Sequence, residues 1–455
     1  MQRDPIERQL VKEPVGKVFF RYLIPSLVGM LLMSVNVVID GIFVGHAVGP
    51  IALAGVNIST PMFSLYFSIS LLIGIGGGAL YSMAIGRKDI KTAQTIFTHA
   101  FWFVVIVLVI LSCISYLFIH DIALLLGANE QTLPYVIEFL TIILIFGIFI
   151  GIQVLLSIFV RNDGNPNLAM VANVVMAVFN VLLNYILIFQ FAWGVKGSAC
   201  ATVCSQLIGI LVLVFHFFRK STTLRWGRPS FQASLFKRIM TIGFPSFTSE
   251  IGLAVFTFGY NLAMVKTVGT IGVSAFSIVN YLHTMMLMVF IGLGSAVQPL
   301  ISFYYGAKLR ERMIHTVKIA EKTALFLGVF SLILGCLLAD PLVSLFGGMT
   351  KELHSLAVHG LRLFFVGYLF IGINFVYMNY YQSVGQVRSS MVITLLRGFV
   401  LLSGFLWIQP MLFGINGVWL SVPSAEFAVA LFIVIFMRKA TLKEIEQQGH
   451  FLADL

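Results

Sequence analysis

The feature that most constrains this chain is a series of apolar runs, each near or above the ~20 residues an α-helix needs to cross a bilayer. Twelve can be drawn, at roughly 18–44, 52–83, 93–119, 134–160, 168–191, 196–218, 239–265, 271–304, 315–339, 356–381, 390–410 and 414–437. In hydrocarbon a backbone N–H or C=O without a partner is costly, so runs of this length predict helices that satisfy their own polar groups. They leave no room for a sizeable soluble domain. Charged residues make up 10% of the chain, whereas soluble domains carry roughly a quarter. Several runs exceed the minimum length, which implies tilt or kinks, and Pro25, Pro61, Pro245, Pro299 and Pro423 are the candidate kink positions. The first run is too long for the apolar region of a cleavable leader, so none is expected.

The charges orient these runs. Of 29 Lys and Arg residues, 24 lie in segments on the N-terminal side of the membrane, among them Arg3, Lys17, Arg87, Lys88, Lys220, Arg228, Arg238, Lys308, Arg310 and Arg438. The opposite loops hold Lys196, Lys266 and Lys351. The positive-inside rule then predicts that both termini are cytoplasmic. The net charge of +11 is confined to short loops and forms no basic stripe interleaved with aromatics, which excludes nucleic-acid binding. Cys113, Cys200, Cys204 and Cys336 sit within apolar runs without His or carboxylate neighbours, so they read as packing residues rather than metal ligands.

The chain repeats itself. At an offset of 220, Pro25-Ser26 meets Pro245-Ser246, Val48-Gly49 meets Val268-Gly269, Gly127 meets Gly347 and Gly194 meets Gly414. At 221, Phe149-Ile-Gly-Ile152 meets Phe370-Ile-Gly-Ile373, and Gly164 meets Gly385. Six spans per repeat bring the chain back to its starting side. The expected architecture is therefore an all-α integral membrane protein of twelve transmembrane helices, in two six-helix lobes related by a pseudo-twofold along the membrane normal. Two such lobes around a central pathway are a transporter plan. The expected division is an N-lobe at 1–218, a cytoplasmic linker at 219–238, a C-lobe at 239–437 and a cytoplasmic tail at 438–455.

Polar residues that one half has and the other lacks are the first candidates for chemistry. Asp40, inside the first run, corresponds to Tyr260; Asn180 and Asn184 correspond to Leu401 and Phe405, and Thr202 to Val422. An ionised Asp in hydrocarbon costs several kcal/mol, so such a residue is normally turned inward and used. A proton, a cation or an Arg partner would each make it tolerable. Asn173, Asn180 and Asn184 fall near one face of the fifth span. A carboxylate, amide carbonyls and a hydroxyl can hold a hard cation or hydrogen-bond a protonated Asp; an interhelical polar clamp is the structural alternative. Glu250 is the acidic candidate of the second half. Glu426 and Arg397 read as an ion pair, and His283 reads as a packing residue or a proton relay. Met30, Met33, Asn36, Met62, Asn173 and Met176 are the candidate lining, with Asp40, of an adaptable cavity suited to lipophilic cations. Gly74-Ile-Gly-Gly-Gly78 has no preceding strand and no following Lys-Ser/Thr, so it reads as close helix packing rather than a phosphate loop. No Walker, HExxH or GxSxG motif is present. The chain therefore reads as a non-enzyme without a cofactor, driven by an ion gradient.

Several stretches resemble the multidrug and toxic compound extrusion (MATE) family, closest to its MepA/DinF-like bacterial branch. They are Ile24-Pro-Ser26 with Val38-Ile-Asp-Gly-Ile-Phe-Val-Gly45, Gly86-Arg-Lys-Asp89, and Arg161-Asn-Asp-Gly-Asn-Pro166. Asn180-Val-Leu-Leu-Asn-Tyr-Ile-Leu-Ile-Phe189 and Gly243-Phe-Pro-Ser246 complete the set, in family order across nearly the whole chain. The resemblance implies two six-helix lobes with a V-shaped cavity and export of lipophilic cationic drugs or dyes in exchange for H⁺ or Na⁺. It places Asp40, Asn180, Asn184 and Thr202 at the N-lobe coupling site, where Na⁺ is the alternative ion, and Glu250 at a C-lobe position. Relatives often carry Asp where Asn184 stands, and the tenth span offers only Asn374 and Asn379 as partners for Glu250; both departures favour H⁺ coupling through Asp40. The resemblance further implies a monomer in the bacterial cytoplasmic membrane, with the lipid bilayer as its surroundings. A lipid-linked oligosaccharide flippase is the other reading within the superfamily. Its anionic substrate would want a cationic cavity, and beyond the cytoplasmic-side segments Arg362 and Arg397 are the only cations inside spans.

Overall fold

The computed structural model describes residues 8–219, 222–227, 232–347 and 349–447. Arg3, Lys220, Arg228 and the end of the tail, from which part of the orientation was read, lie outside these residues. All regular structure among the described residues is helical. The main helices of the first half are α1 (Val15–Ala47), α2 (Pro50–Gly86), α3 (Ile90–Leu117), α4 (Leu133–Phe146), α5 (Ile148–Asn162), α6 (Pro166–Asn184) and α7 (Gly194–Val214). The second half has α8 (Ala233–Thr267), α9 (Thr270–Gly306), α10 (Arg310–Leu337), α11 (Lys351–Phe365), α12 (Tyr368–Ser383), α13 (Val387–Leu395), α14 (Leu401–Phe413), α15 (Ile415–Phe432) and α16 (Lys439–Gln447). Among the described residues ten helical segments are long and apolar enough to cross a membrane, and the number rises to 12 when each of two bent helix pairs is taken as one span.

The repeat governs geometry as well as residues. Helices α2 and α9 are both 37 residues long, and α3 and α10 are both 28. The fourth span of each half is broken, by 51° between α4 and α5 and by 46° between α11 and α12. Both breaks fall at matched glycines, Gly147 and Gly367, whereas the five prolines expected to kink spans lie inside continuous helices. At Gly147 the reason is space: a Cβ there would lie 2.7 Å from the Tyr66 ring. Turns that need a left-handed residue recur in register, with φ of 64° at Lys88 against 58° at Lys308, and 83° at Gly164 against 80° at Gly385. These matches were therefore selected by backbone conformation.

The helices gather into two compact units. One contains residues up to 247 except 14–19; the other contains 14–19 and everything from 248 onward. Helix α8 opens at Ala233, so the end of the expected 219–238 linker is already helical, and its first turns pack within the first unit. There the glycine stripe of α2 meets its neighbours at backbone distance. A Cβ on Gly76 would lie 2.0 Å from the Ile239 carbonyl oxygen, and one on Gly243 would lie 1.7 Å from that of Leu72. Gly74 faces Ile158 and Gly78 faces Asn162, both on α5. The stripe serves helix packing, as expected.

The chain leaving α7 is tied down by one buried carboxylate. Asp163 accepts hydrogen bonds from Tyr81 Oη (2.7 Å), Thr222 Oγ1 (2.6 Å), Thr223 Oγ1, the Leu224 backbone N–H (3.2 Å) and His216 Nε2 (2.7 Å). The Gly227 N–H donates to Thr98 Oγ1 (2.7 Å), and Trp226 lies edge-on to Phe101 with centroids 4.8 Å apart. In the second unit Glu321 plays the matching part, accepting from Tyr377 Oη at 2.8 Å and from Arg438 Nε and Nη2 at 2.8 and 3.0 Å.

Candidate functional site

Asp40 lies seven residues before the end of α1 and meets an amide of α6. Asn184 Nδ2 donates to Asp40 Oδ1 at 2.7 Å and also to Asn180 Oδ1, one turn earlier on its own helix, at 3.0 Å. Asn180 Nδ2 in turn donates to Ser205 Oγ on α7 at 3.4 Å, and Ser205 Oγ donates to the Thr202 carbonyl at 2.7 Å. The result is a polar chain running from α1 through α6 to α7. Asn180 and Asn184 are buried; the i, i+4 spacing that puts both on one helix face lets one amide bridge the other and the carboxylate. Asn184 is also where α6 gives way to a π-helical segment, Tyr185–Gln190, an irregularity frequent at functional sites.

Two acceptors of this region remain unpaired. Asn184 Oδ1 and Asn36 Oδ1 are buried without a hydrogen-bond partner; Asn36 lies one turn before Asp40 on α1. No basic side chain pairs with Asp40 among the described residues. Of the three solutions open to an intramembrane carboxylate, the Arg partner is thus absent there. No cluster of three or more His, Cys, Asp or Glu side chains able to hold a metal occurs among the described residues. Any cation at this site would be held by one carboxylate and neutral oxygens.

Not every expected residue joins the chain. The Thr202 hydroxyl donates to the Ser198 carbonyl of its own helix at 3.0 Å, so Thr202 contributes its backbone oxygen and not its side chain. Asn173 accepts from Gln153 Nε2 at 3.0 Å and forms a separate pair. Its distance from Asn180, about 10.5 Å along the helix axis, explains why. Met62 and Met176 are buried, and Met30, Met33 and Asn36 are half-buried. Ser205 and Gln153 went unnoticed at the sequence level. Ser205 could have been found as the hydroxyl one turn beyond Thr202, and Gln153 as the only amide in the apolar run 148–160.

The second unit fills the corresponding positions differently. The Tyr260 hydroxyl accepts from the Val422 N–H at 3.1 Å, so the counterparts of Asp40 and Thr202 touch, and the Tyr260 ring stacks on Phe276 with centroids 4.7 Å apart. An aromatic core stands where the first unit has its polar chain. The acidic residues are elsewhere. Glu426 receives Arg397 Nη2 at 2.7 Å and Nε at 3.1 Å, and Asn374 Nδ2 at 2.6 Å, so the expected ion pair is present and Asn374 is committed to it. Arg397 also lies 4.3 Å from the centre of the Phe375 ring. His283 pairs with the Tyr368 hydroxyl at 2.7 Å in a buried packing position. Glu250 makes no hydrogen bond or ion pair among the described residues.

A duplicated set of apolar spans, two of them broken, with a carboxylate in the first span and an unrepeated polar chain beside it, defines a polytopic helical membrane protein of the transporter kind. The profile of the MatE family matches residues 25–186 and 245–405, one segment in each half. The chain belongs to that family. Among curated relatives, the multidrug export protein MepA of Staphylococcus saprophyticus is 25% identical, covering 95% of this chain and 96% of its own length. MepA of Staphylococcus haemolyticus is 26% identical, covering 95% and 97%. Among solved structures, the outward-facing conformation of a multidrug resistance MATE family transporter of the MOP superfamily superposes with a TM-score of 0.91 at 23% identity, over 97% of this chain and 100% of that one. A MOP superfamily transporter from Pyrococcus furiosus, described as having a binding pocket of reversed polarity that suggests a different function, gives 0.91 at 21% identity, over 98% and 100%.

Proposed function

We propose that the protein is a secondary multidrug efflux antiporter that exports lipophilic organic cations in exchange for H⁺, with Asp40 as the exchanging group. The observation that carries this reading is the carboxylate itself: half-buried in an apolar helix, held by one amide and, among the described residues, paired with no cation. Deprotonated, Asp40 offers its charge to a cationic drug; protonated, it loses that charge and the drug with it. One carboxylate that holds either a proton or a drug gives exchange its stoichiometric logic. Asn184 makes the switch felt beyond α1, because the same Nδ2 that bonds Asp40 also bonds Asn180, which leads to Ser205 on α7. Hydrogen bonds to a charged group contribute roughly 1.5–3 kcal/mol, so neutralising Asp40 weakens this tie by an amount able to shift a conformational equilibrium tenfold or more.

A specific observation favours a second coupling ion. Asn184 Oδ1 is a buried, unpaired oxygen beside Asp40, and oxygen donors of this kind suit Na⁺ as well as a carboxylic proton. The flippase reading loses support, because Arg397 is neutralised by Glu426 and only Arg362 of the two intramembrane cations is left for an anionic headgroup. With this function go the remaining expectations: a monomer in the bacterial cytoplasmic membrane, both termini cytoplasmic, and lobes at 1–218 and 239–437. Asp40→Asn tests the assignment. Export of ethidium from cells by the variant should fall to background, and export at the wild-type rate would remove Asp40 from the mechanism.

A further inference from the structure

Away from Asp40, in the first unit, a cleft of about 230 Å³ opens between the α2–α3 turn and the start of α8. Its floor is apolar, with Leu80, Met83, Ile96 and Leu235, and its rim carries Arg87 and Arg238 beside the hydroxyls of Thr92 and Ser234. Its far wall is Gln232 with Ser234, Leu235 and Arg238 at the start of α8. Nearby, Asp163 fixes Thr222 to Leu224, the Gln94 side chain donates to the Thr223 carbonyl and the Gly227 N–H donates to Thr98 Oγ1, which ties residues 222–227 to α3.

The rim guanidinium groups are not committed to a bonded partner. Both arginines are exposed, and among the described residues neither side chain makes a hydrogen bond or an ion pair. The one acidic side chain in the cleft, Asp89, is spent as the N-cap of α3: it accepts from the Thr92 N–H at 3.1 Å, and hydrogen bonds from the Thr92 side chain and N–H, aided by Lys91 and Arg87, hold its carboxyl below the usual range. The turn itself does not need these residues. In the repeat Lys308 keeps the left-handed conformation of Lys88, while Ala307 and Leu309 stand where Arg87 and Asp89 do. By the positive-inside rule this rim faces the cytoplasmic leaflet, where anionic lipids concentrate.

We propose that this cleft binds the phosphodiester headgroup of an anionic phospholipid, the phosphate lying between Arg87 and Arg238 and the first methylenes on the apolar floor. Charge excludes the cationic drugs, and the volume lies below the roughly 300–1,000 Å³ typical of drug-sized sites. Two planar guanidinium groups suit phosphate oxygens, and the apolar floor distinguishes a lipid from a free anion. The site is independent of the transport reading and is tested without it.

The purified full-length protein is titrated with short-chain phosphatidylglycerol, phosphatidylcholine or inorganic phosphate, and its thermal unfolding is followed. Phosphatidylglycerol should raise the unfolding temperature saturably, while the other two leave it unchanged. Arg87→Gln/Arg238→Gln should weaken the apparent affinity roughly 25-fold, a factor of about five for each basic residue near an anionic surface. The single variants, each weaker by about fivefold, serve if the double variant does not fold. An equal response of wild type and variants would overturn the proposal. So would an equal response to inorganic phosphate, which would make this a free-anion site.

Discussion

Asp163→Ala would remove the acceptor at the centre of the anchor that holds the chain leaving α7. Five donors converge on that carboxylate, and they differ in what they can do without it. The hydroxyls of Tyr81 and Thr223 already lie 3.0 Å apart, and the Leu224 N–H has a second acceptor in Thr222 Oγ1 at 3.1 Å. His216 has none. Its Nδ1 faces the amide nitrogen of Asn165 at 3.3 Å, an amide whose oxygen is occupied in capping α6, so the proton on Nε2 has nowhere else to go. One stranded buried donor costs about 1–3 kcal/mol, and the lost charge-assisted bonds add roughly 1.5–3 kcal/mol more. Asp163→Ala should therefore destabilise the protein by about 3–5 kcal/mol. Asp163→Asn should cost less, about 1–2 kcal/mol, because its oxygen can face His216, Thr222 and Leu224 while its amide meets hydroxyls that rotate to accept. Two measurements check this: equilibrium unfolding in denaturing detergent, and the rate of tryptic cleavage after the exposed Arg225, read by peptide mass. Unchanged stability together with an unchanged cleavage rate in Asp163→Ala would refute the anchor.

Other substitutions test packing and pairing separately. Gly243→Ala places a methyl group 1.7 Å from the Leu72 carbonyl oxygen and should cost about 1–3 kcal/mol or more by overpacking, measurable as a loss of thermal stability. Arg397→Met alone should destabilise by about 3–5 kcal/mol by leaving Glu426 buried without its partner, while Arg397→Met/Glu426→Met should return to within about 1 kcal/mol of wild type; equal losses in the two proteins would show that the pair is not the source. Asn184→Leu removes the donor to Asp40 and should slow drug transport about tenfold or more, given roughly 1.5–3 kcal/mol for a bond to a charged group. Transport kinetics in vesicles at matched expression would read this directly.

Much of the fold was legible because a bilayer admits few solutions. Apolar runs gave the helices, and the glycines that matched across the halves turned out to mark turns such as Gly164 and Gly385, whose backbone few other residues adopt. The ion pair of Arg397 with Glu426 was legible because two opposite charges inside neighbouring spans have nowhere better to go. Side-chain direction was harder. Thr202 lies at a family-like position, yet a helical threonine can always bond the carbonyl four residues back, and no pattern of sequence says which it will choose. Asn173 shares a helix face with Asn180, but axial separation gave it Gln153 instead. Asp163 stood in a family-like stretch, but its anchoring role escaped notice because its partners come from 53 to 82 residues away in the chain. The breaks at Gly147 and Gly367 were missed for a related reason: hydropathy records how long a span is and nothing of its direction.

The central claim is that Asp40 exchanges a proton for a cationic drug. Its most direct test is ethidium transport by reconstituted protein under separately imposed pH and Na⁺ gradients, with wild type and Asp40→Asn side by side. Protons enter as drug leaves, so acidifying the compartment that receives drug should accelerate wild-type transport, a Na⁺ gradient alone should not, and Asp40→Asn should respond to neither. Wild-type transport driven by Na⁺ and indifferent to the pH gradient, or Asp40→Asn transport that still follows it, would contradict the account.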